Sequence, residues 1–173
     1  HRIIEECMLC ANVSAARFIS KHKKPGLYRV HEPPELEKVE YLVEFLNRFG
    51  VGLKYEHSIK PADYQYVANQ LKDLKNGHVL QMALLRSMNQ AVYQTQNEGH
   101  VGLAYPEYTH FTSPIRRFPD LLTHRYIKSV IHSRTKSDSA LRLGKISKTN
   151  FYPYDTEQVV TFGAQTSFTE RRA

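Results

Sequence analysis

Apolar residues recur at three- and four-residue steps along much of the chain, which is the period of an amphipathic helix. This pattern predicts helices over residues 2–23, 35–49, 61–76, 78–93, 114–132 and 156–172. Alternation or loss of the helical period predicts extended segments at residues 27–31 and 101–111. Together these segments predict a mixed α/β fold that is rich in helix.

The same periodicity predicts which residues form the core. In the helix predicted over residues 114–132, one stripe holds Phe118, Leu122, Tyr126 and Val130. In the first helix the apolar stripe holds Ile4, Met8, Ala11, Ala15 and Phe18. The two cysteines of the chain, Cys7 and Cys10, lie three residues apart on that stripe. Core packing is therefore expected for them, rather than redox or zinc chemistry, because no second Cys or His pair stands at metal-ligand spacing.

Between the last two predicted helices the composition shifts to Ser, Lys, Thr, Asn and Gly. We interpret residues 133–155 as an exposed basic connection, which separates a main segment, 1–132, from a terminal helix of the same domain, 156–173. Four basic side chains of this connection could touch a phosphate backbone, although a solvated loop is the interpretation that we favour. They are Lys136, Arg142, Lys145 and Lys148.

Length and charge limit the possible classes of protein without identifying one. The 173 residues suit one domain, and 24 Lys and Arg against 17 Asp and Glu give a net charge of +7. This balance fits a polyanionic partner, and it fits an ordinary basic protein equally well. The sequence has no disulfide framework and no apolar run near the ~18 residues of a membrane span, so we expect a reducing, cytoplasmic location and no membrane partner. The ends of the chain lead us to expect a piece of a longer protein.

Residues 110–121 carry the most informative pattern, H-F-T-S-P-I-R-R-F-P-D-L. Proline suits the first position of a helix, so we expect a helix that begins at Pro114 and is capped by Thr112 or Ser113. Arg116 and Arg117 would then lie in the first turn, where the helix dipole disfavours cations. Two guanidinium groups at such a site suggest a bound anion, with phosphate as the natural candidate. Two surface arginines on a solvated face are the alternative.

Three stretches of the chain, in order, resemble one known family. Residues 4–17 read I-E-E-C-M-L-C-A-N-V-S-A-A-R, residues 84–88 and 100–104 carry a shorter match, and residues 108–125 contain T-S-P-I-R-R-F followed by D-L-L-T-H-R. This pattern is similar to that of the ribonuclease II and ribonuclease R family of processive 3′-to-5′ exoribonucleases, and to its ribonuclease R branch in particular. The resemblance implies the C-terminal part of an RNB-type catalytic domain, which acts on single-stranded RNA 3′ ends and releases 5′-nucleoside monophosphates.

The resemblance also implies roles for individual residues. Glu5 matches a glutamate near the terminal ribose that helps to distinguish RNA from DNA, while Arg116 matches the arginine at the scissile phosphate and is the expected catalytic residue. From spacing alone Glu5 and Asn12 share a helix face, and Glu5 could equally cap or salt-bridge a neighbour. The residues expected to bind substrate are Glu5, Asn12, His110, Thr112, Ser113 and Arg117. Within this set, Arg117 could instead hold the fold, and His110 could instead pack beside the motif.

The family's metal site is not expected within this sequence. Such enzymes hold magnesium with a cluster of aspartates, which the resemblance places upstream of His1, and flanking OB-fold domains bind RNA. The aspartates of this chain are scattered, at Asp63, Asp73, Asp120, Asp138 and Asp155. Because clustered carboxylates are needed to fix two catalytic metals, we predict that the chain alone is inactive. The alternative is a basic RNA-binding module that has lost catalysis.

Overall fold

The computed structural model describes residues 1–22, 24–53, 61–72, 74, 76–139 and 152–172. Its helices are α1 Arg2–Ser20, α2 Leu36–Asn47, α3 Pro61–Leu71, α4 Gly77–Ser87, α5 Phe118–Ser139 and α6 Thr156–Glu170. Two short strands, β1 Tyr28–Val30 and β2 Val92–Gln94, and a 3₁₀ turn at Val101–Leu103 complete the described elements. The prediction of a helix-rich α/β fold is therefore confirmed.

The chain divides into two compact units, and the second of them comprises His31–Ala91 and Gly99–Pro106. Its core is apolar and comes largely from α2, α3 and α4, through Val39, Leu42, Leu46, Val51, Leu53, Tyr64, Val67, Leu71, Leu80 and Leu84. His31 ties the 3₁₀ turn to this unit. The His31 backbone N–H donates to Gly99 O, and the His31 carbonyl accepts from the Val101 N–H, both at 3.0 Å.

The first unit comprises His1–Val30, Val92–Glu98 and Glu107–Ala173. Its core is formed by Ala16, Ile19, Leu27, Tyr28, Val30, Leu122, Tyr126, Val130, Tyr152 and Val159. β1 and β2 pair antiparallel, with Arg29 opposite Tyr93. Tyr126 is fully buried at the centre of this core, and its hydroxyl lies within hydrogen-bond distance of the carbonyl oxygens of Ile19, His22 and Lys24. The α1–β1 connection is thereby held against α5.

Helix α6 packs against β2 at a glycine. A Cβ at Gly163 would lie 2.7 Å from Tyr93 O and 3.0 Å from Leu27 Cδ2, so only glycine fits this approach. Ser167, one turn later, accepts a hydrogen bond from the Tyr93 N–H at 2.8 Å. At the start of the helix the Asp155 side chain accepts from the Gln158 N–H at 2.8 Å, which forms a capping box. The predicted terminal helix is confirmed.

Two predicted elements are wrong. The helix expected over residues 78–93 ends at Ser87, because Met88 takes an extended conformation and Val92–Gln94 pair with β1 instead. The extended segment expected over 101–111 contains a 3₁₀ turn, which Ala104 ends in a left-handed conformation with φ 58°. In both places pairing with residues distant in sequence overrides the local apolar pattern.

The predicted buried face of α1 is also wrong in its first half. Ile4, Met8, Cys7 and Cys10 are exposed, so the cysteines do not pack in the core of this unit. Burial falls in the second half of the helix, at Asn12, Val13, Ala15, Ala16 and Ile19. Periodicity identifies a face of a helix but not which of its turns are covered.

The predicted helix over residues 114–132 begins and ends later, at Phe118 and Ser139. Leu122, Tyr126 and Val130 are buried as predicted, whereas Phe118 is exposed. Arg142, Lys145, Lys148 and the Lys136 side chain lie outside the described residues. Tyr152, within the segment predicted to be exposed, is buried, and its hydroxyl donates to Pro25 O at 2.9 Å. Within the described ranges, no helix combines the length and apolar character that a membrane crossing requires.

The contact between α6 and β2 predicts that Gly163→Ala destabilises the protein. Alanine is the better helix former by about 1 kcal/mol, so propensity alone would predict stabilisation. The new Cβ must displace the Tyr93 carbonyl, and overpacking of this kind typically costs about 1–3 kcal/mol. Thermal and urea unfolding should show a lower free energy of unfolding for Gly163→Ala. Gln165→Ala, on the exposed side of the same helix, serves as the control. A stabilised Gly163→Ala variant would contradict this packing.

Candidate functional site

Residues 108–120, which we call the signature segment, are fastened to α1 by Asn12. This side chain is 3% exposed. Its Oδ1 accepts hydrogen bonds from the backbone N–H groups of Phe111 at 3.0 Å and Thr112 at 3.2 Å, and its Nδ2 donates to the Tyr108 hydroxyl at 2.8 Å. Asn12 is therefore committed to holding the segment, while its predicted contact with substrate stays a prediction.

A turn precedes α5 and carries the two arginines. The backbone N–H groups of Arg116 and Arg117 both donate to Ser113 O, at 3.3 and 3.1 Å. The first hydrogen bond of α5 runs from the Leu121 N–H to Arg117 O at 3.3 Å. The expectation that both arginines lie in the first turn of a helix beginning at Pro114 is therefore wrong, since they lie in the turn before it.

Asp120 fastens the turn that precedes α5. This carboxylate is 0% exposed, and its Oδ1 accepts from the Ser113 N–H at 2.7 Å and from Arg117 Nη2 at 2.9 Å. Arg117 Nε lies 2.9 Å from the other oxygen, Oδ2. Ser113 is thus bound through its backbone amide and does not act as a helix cap. The sequence pattern does not predict Asp120 as a site residue, although its place in the D-L part of the motif is a signal that could have found it.

The two arginines differ in their surroundings. Arg117 forms the ion pair with Asp120, and its side chain is 21% exposed. Arg116 is exposed, and among the described residues its guanidinium group has no partner. A free guanidinium group on a fixed turn is a donor that can bind a phosphate oxygen from solution.

Beside the turn lies a groove of about 350 Å³, lined by His1, Ile4, Glu5, Met8, Leu9, Asn12, Tyr108, Thr112 and Arg117. It brings together four of the predicted site residues, Glu5, Asn12, Thr112 and Arg117, and leaves Arg116, His110 and Ser113 outside its lining. Glu5 and Asn12 share one face of α1, as their spacing predicted. Within the described part of the chain, neither the Glu5 carboxylate nor the buried Thr112 hydroxyl has a hydrogen-bond partner.

His110 contacts one residue from outside the signature segment, Tyr93, and one from within it, Tyr108. Its Nδ1 lies 2.7 Å from the Tyr93 hydroxyl, and its ring makes edge contacts with the rings of Tyr93 and Tyr108. Burial raises the pKa of Tyr93 to about 12, so this phenol keeps its proton at neutral pH. The sequence pattern does not predict Tyr93 as a neighbour of the site, because it lies on β2, where a helix was expected.

His124 supports the same segment from α5. Its Nε2 lies 2.9 Å from Phe111 O, and its ring stacks on Phe111 with 4.2 Å between centroids. The backbone of Phe111 is therefore held on both sides, by Asn12 and by His124.

The described residues offer no magnesium site. Within those ranges, no three or more His, Cys, Asp or Glu side chains come together in a way that could hold a metal ion.

The chain has close sequence relatives. The RNB domain family matches residues 1–133. Ribonuclease R of Escherichia coli K12 is 41% identical over 173 residues, which is 100% of this chain and 21% of that protein. Ribonuclease R of Vibrio parahaemolyticus is 43% identical over 173 residues, again 100% of this chain, and 20% of that protein. The chain therefore spans about a fifth of the length of these curated relatives.

Solved structures share the fold at lower sequence identity. Mycoplasma genitalium RNase R in complex with ribose methylated single-stranded RNA matches 97% of this chain and 25% of its own, with a TM-score of 0.78 and 24% identity. Yeast Ssd1, a pseudonuclease, matches 98% of this chain and 19% of its own, with a TM-score of 0.76 and 23% identity. Because the RNB domain match covers most of the chain, the chain belongs to the ribonuclease II and ribonuclease R family that the motifs indicated.

Proposed function

We propose that the chain is part of a 3′-to-5′ exoribonuclease that hydrolyses RNA to 5′-nucleoside monophosphates. The observation that carries the proposal is the exposed Arg116, whose guanidinium group has no partner among the described residues, on a turn whose backbone is fixed by Ser113 and Asp120. The sequence relatives of the chain are named ribonuclease R, and one protein of the same fold was solved in complex with single-stranded RNA. The substrate of this chain would then be a single-stranded RNA 3′ end.

Arg116 would act at the scissile phosphate. A guanidinium group can donate two parallel hydrogen bonds to phosphate oxygens. Negative charge builds on those oxygens as water attacks phosphorus, so a donor that is already in place stabilises the transition state more than bound RNA. The fixed turn contributes to this by holding the Arg116 backbone, so that only the side chain has to be placed on the phosphate.

Glu5 would read the sugar. Its carboxylate lies in the groove without a partner among the described residues and can accept a hydrogen bond from a ribose 2′-hydroxyl. DNA lacks this hydroxyl, so the contact would favour RNA. Thr112, whose hydroxyl is also unpartnered there, is proposed to bind the same nucleotide.

Further parts of the proposed enzyme lie outside this chain. We propose that its magnesium is held by aspartates upstream of His1, and that flanking OB-fold domains guide RNA. A cytoplasmic location likewise remains a prediction.

A second candidate is an RNA-binding module without catalysis. Its support is that a pseudonuclease shares the fold with a TM-score of 0.76. The two candidates are separated by incubating the full-length protein with magnesium and a single-stranded RNA. Release of mononucleotides supports the enzyme, while RNA binding without release supports the module.

The chain alone is expected to release no mononucleotides, and magnesium-dependent release by the purified chain would contradict that expectation.

Replacement of Arg116 in the full-length protein should slow cleavage far more than it weakens binding. RNA makes many phosphate contacts, so the loss of one costs little affinity. Loss of one preorganised donor typically reduces the rate by roughly 10²–10³. Single-turnover cleavage and equilibrium binding of Arg116→Ala should therefore diverge. Arg116→Lys should recover little, because an ammonium group cannot reproduce the planar fork. Weak binding with a parental cleavage rate would reduce Arg116 to a backbone anchor.

Replacement of Glu5 should weaken discrimination between RNA and DNA. Glu5→Ala in the full-length protein is expected to lower affinity for RNA more than affinity for a DNA strand of the same sequence, because only RNA offers the 2′-hydroxyl. Binding of both strands is measured at one salt concentration. Glu6→Ala is the matched control, since Glu6 is a neighbouring exposed carboxylate outside the groove lining. Equal losses on RNA and DNA would rule out the assigned role.

A further inference from the structure

The two adjacent arginines of the turn differ in their side-chain contacts, and the structure contains a cause of this difference. Arg116 and Arg117 share the same turn, and both backbone N–H groups donate to Ser113 O. A phosphate near the turn could be bound by either guanidinium group, since Arg117 lines the groove that holds Glu5 and Arg116 is exposed. Only Arg117 has an internal partner among the described residues, and that partner is the buried carboxylate of Asp120.

Asp120 acts on the turn in two ways. Through Oδ1 it accepts from the Ser113 N–H at 2.7 Å, which fixes the residue whose carbonyl closes the turn. Through both oxygens it lies 2.9 Å from Arg117, at Nη2 and at Nε, which holds this guanidinium group against the fold. The carboxylate is 0% exposed, so its charge is not screened by solvent and the pair is expected to be persistent.

We propose that Asp120 is a positioning residue that sorts the two arginines, keeping Arg117 off the RNA and leaving Arg116 as the one phosphate ligand of the turn. The inference rests on the proposed function, since it assumes that RNA is bound here. It assigns no contact with substrate to Asp120 or Arg117. In the absence of the carboxylate, Arg117 is released and competes for the phosphate that Arg116 must hold.

A sorting role for Asp120 predicts a change in the salt dependence of RNA binding, which a purely structural role does not predict. Each Lys or Arg that neutralises a phosphate of a single strand steepens the plot of log affinity against log salt concentration by about 0.7. Asp120→Asn in the full-length protein should therefore steepen the slope by about 0.7, because Arg117 gains a phosphate contact. At the same time single-turnover cleavage should slow by on the order of 10²-fold, as expected for a misplaced catalytic contact. Damage to the fold would instead weaken binding.

Matched variants separate the contributions. Arg116→Met should flatten the salt slope by about 0.7, whereas Arg117→Met should leave it unchanged. The double variant with Asp120→Asn and Arg117→Met carries no unpaired charge of the pair and should return to the parental slope. Glu157→Gln, an exposed residue of α6, makes the same change in net charge as Asp120→Asn and controls for the overall field. Circular dichroism and thermal unfolding check that each variant is folded.

The outcomes are distinct. If Arg117→Met flattens the slope as much as Arg116→Met does, Arg117 is a phosphate ligand in the parent and the sorting role is wrong. This test does not depend on whether Asp120→Asn folds. A folded Asp120→Asn variant with parental slope and parental cleavage would also overturn it. If the parent neither binds RNA nor releases mononucleotides, the proposed function fails instead.

Discussion

The site depends on one buried carboxamide. Asn12 joins α1 to the signature segment through three hydrogen bonds, to Phe111 N, Thr112 N and the Tyr108 hydroxyl. A buried polar group left without such partners costs roughly 1–3 kcal/mol, so the side chain and the two amides constrain one another. The segment thereby starts from a fixed point on the helix that also carries Glu5. The positions of later residues in the segment, including the turn that carries the two arginines, are therefore set by this attachment to α1.

Polar groups of the site fall into two classes. Asn12, Arg117, His124 and Asp120 have partners within the first unit and shape the backbone. The Glu5 carboxylate, the Arg116 guanidinium group and the Thr112 hydroxyl have none among the described residues, and these are the three groups to which the proposed function gives contacts with RNA. The division leaves the groups that are proposed to meet RNA available for it, on a backbone that the other contacts hold in place.

The spacing of apolar residues predicted those features of the fold that depend on residues close together in the sequence. The helices α1, α2 and α6 and the shared face of Glu5 and Asn12 follow from a period of 3.6 residues. Strand β2 could not be predicted in this way, since Val92–Gln94 are extended only through pairing with β1 and packing of α6 at Gly163. The start of α5 was misplaced because Pro119 lacks the N–H that a helix running on from Pro114 would need at that position, so the helix begins at Phe118. The exposed cysteines show that periodicity alone does not locate the core.

Hydrogen exchange at the Phe111 and Thr112 amides tests the role of Asn12 most directly. In the full-length protein, Asn12→Ala should speed exchange at these two amides, because their acceptor is removed, while amides in the middle of α5, such as that of Tyr126, keep their parental rates. Ser14→Ala, on the exposed side of α1, should change neither. If Phe111 and Thr112 stay as protected in Asn12→Ala as in the parent, the signature segment is held by something other than Asn12, and the buried carboxamide is not the anchor of the site.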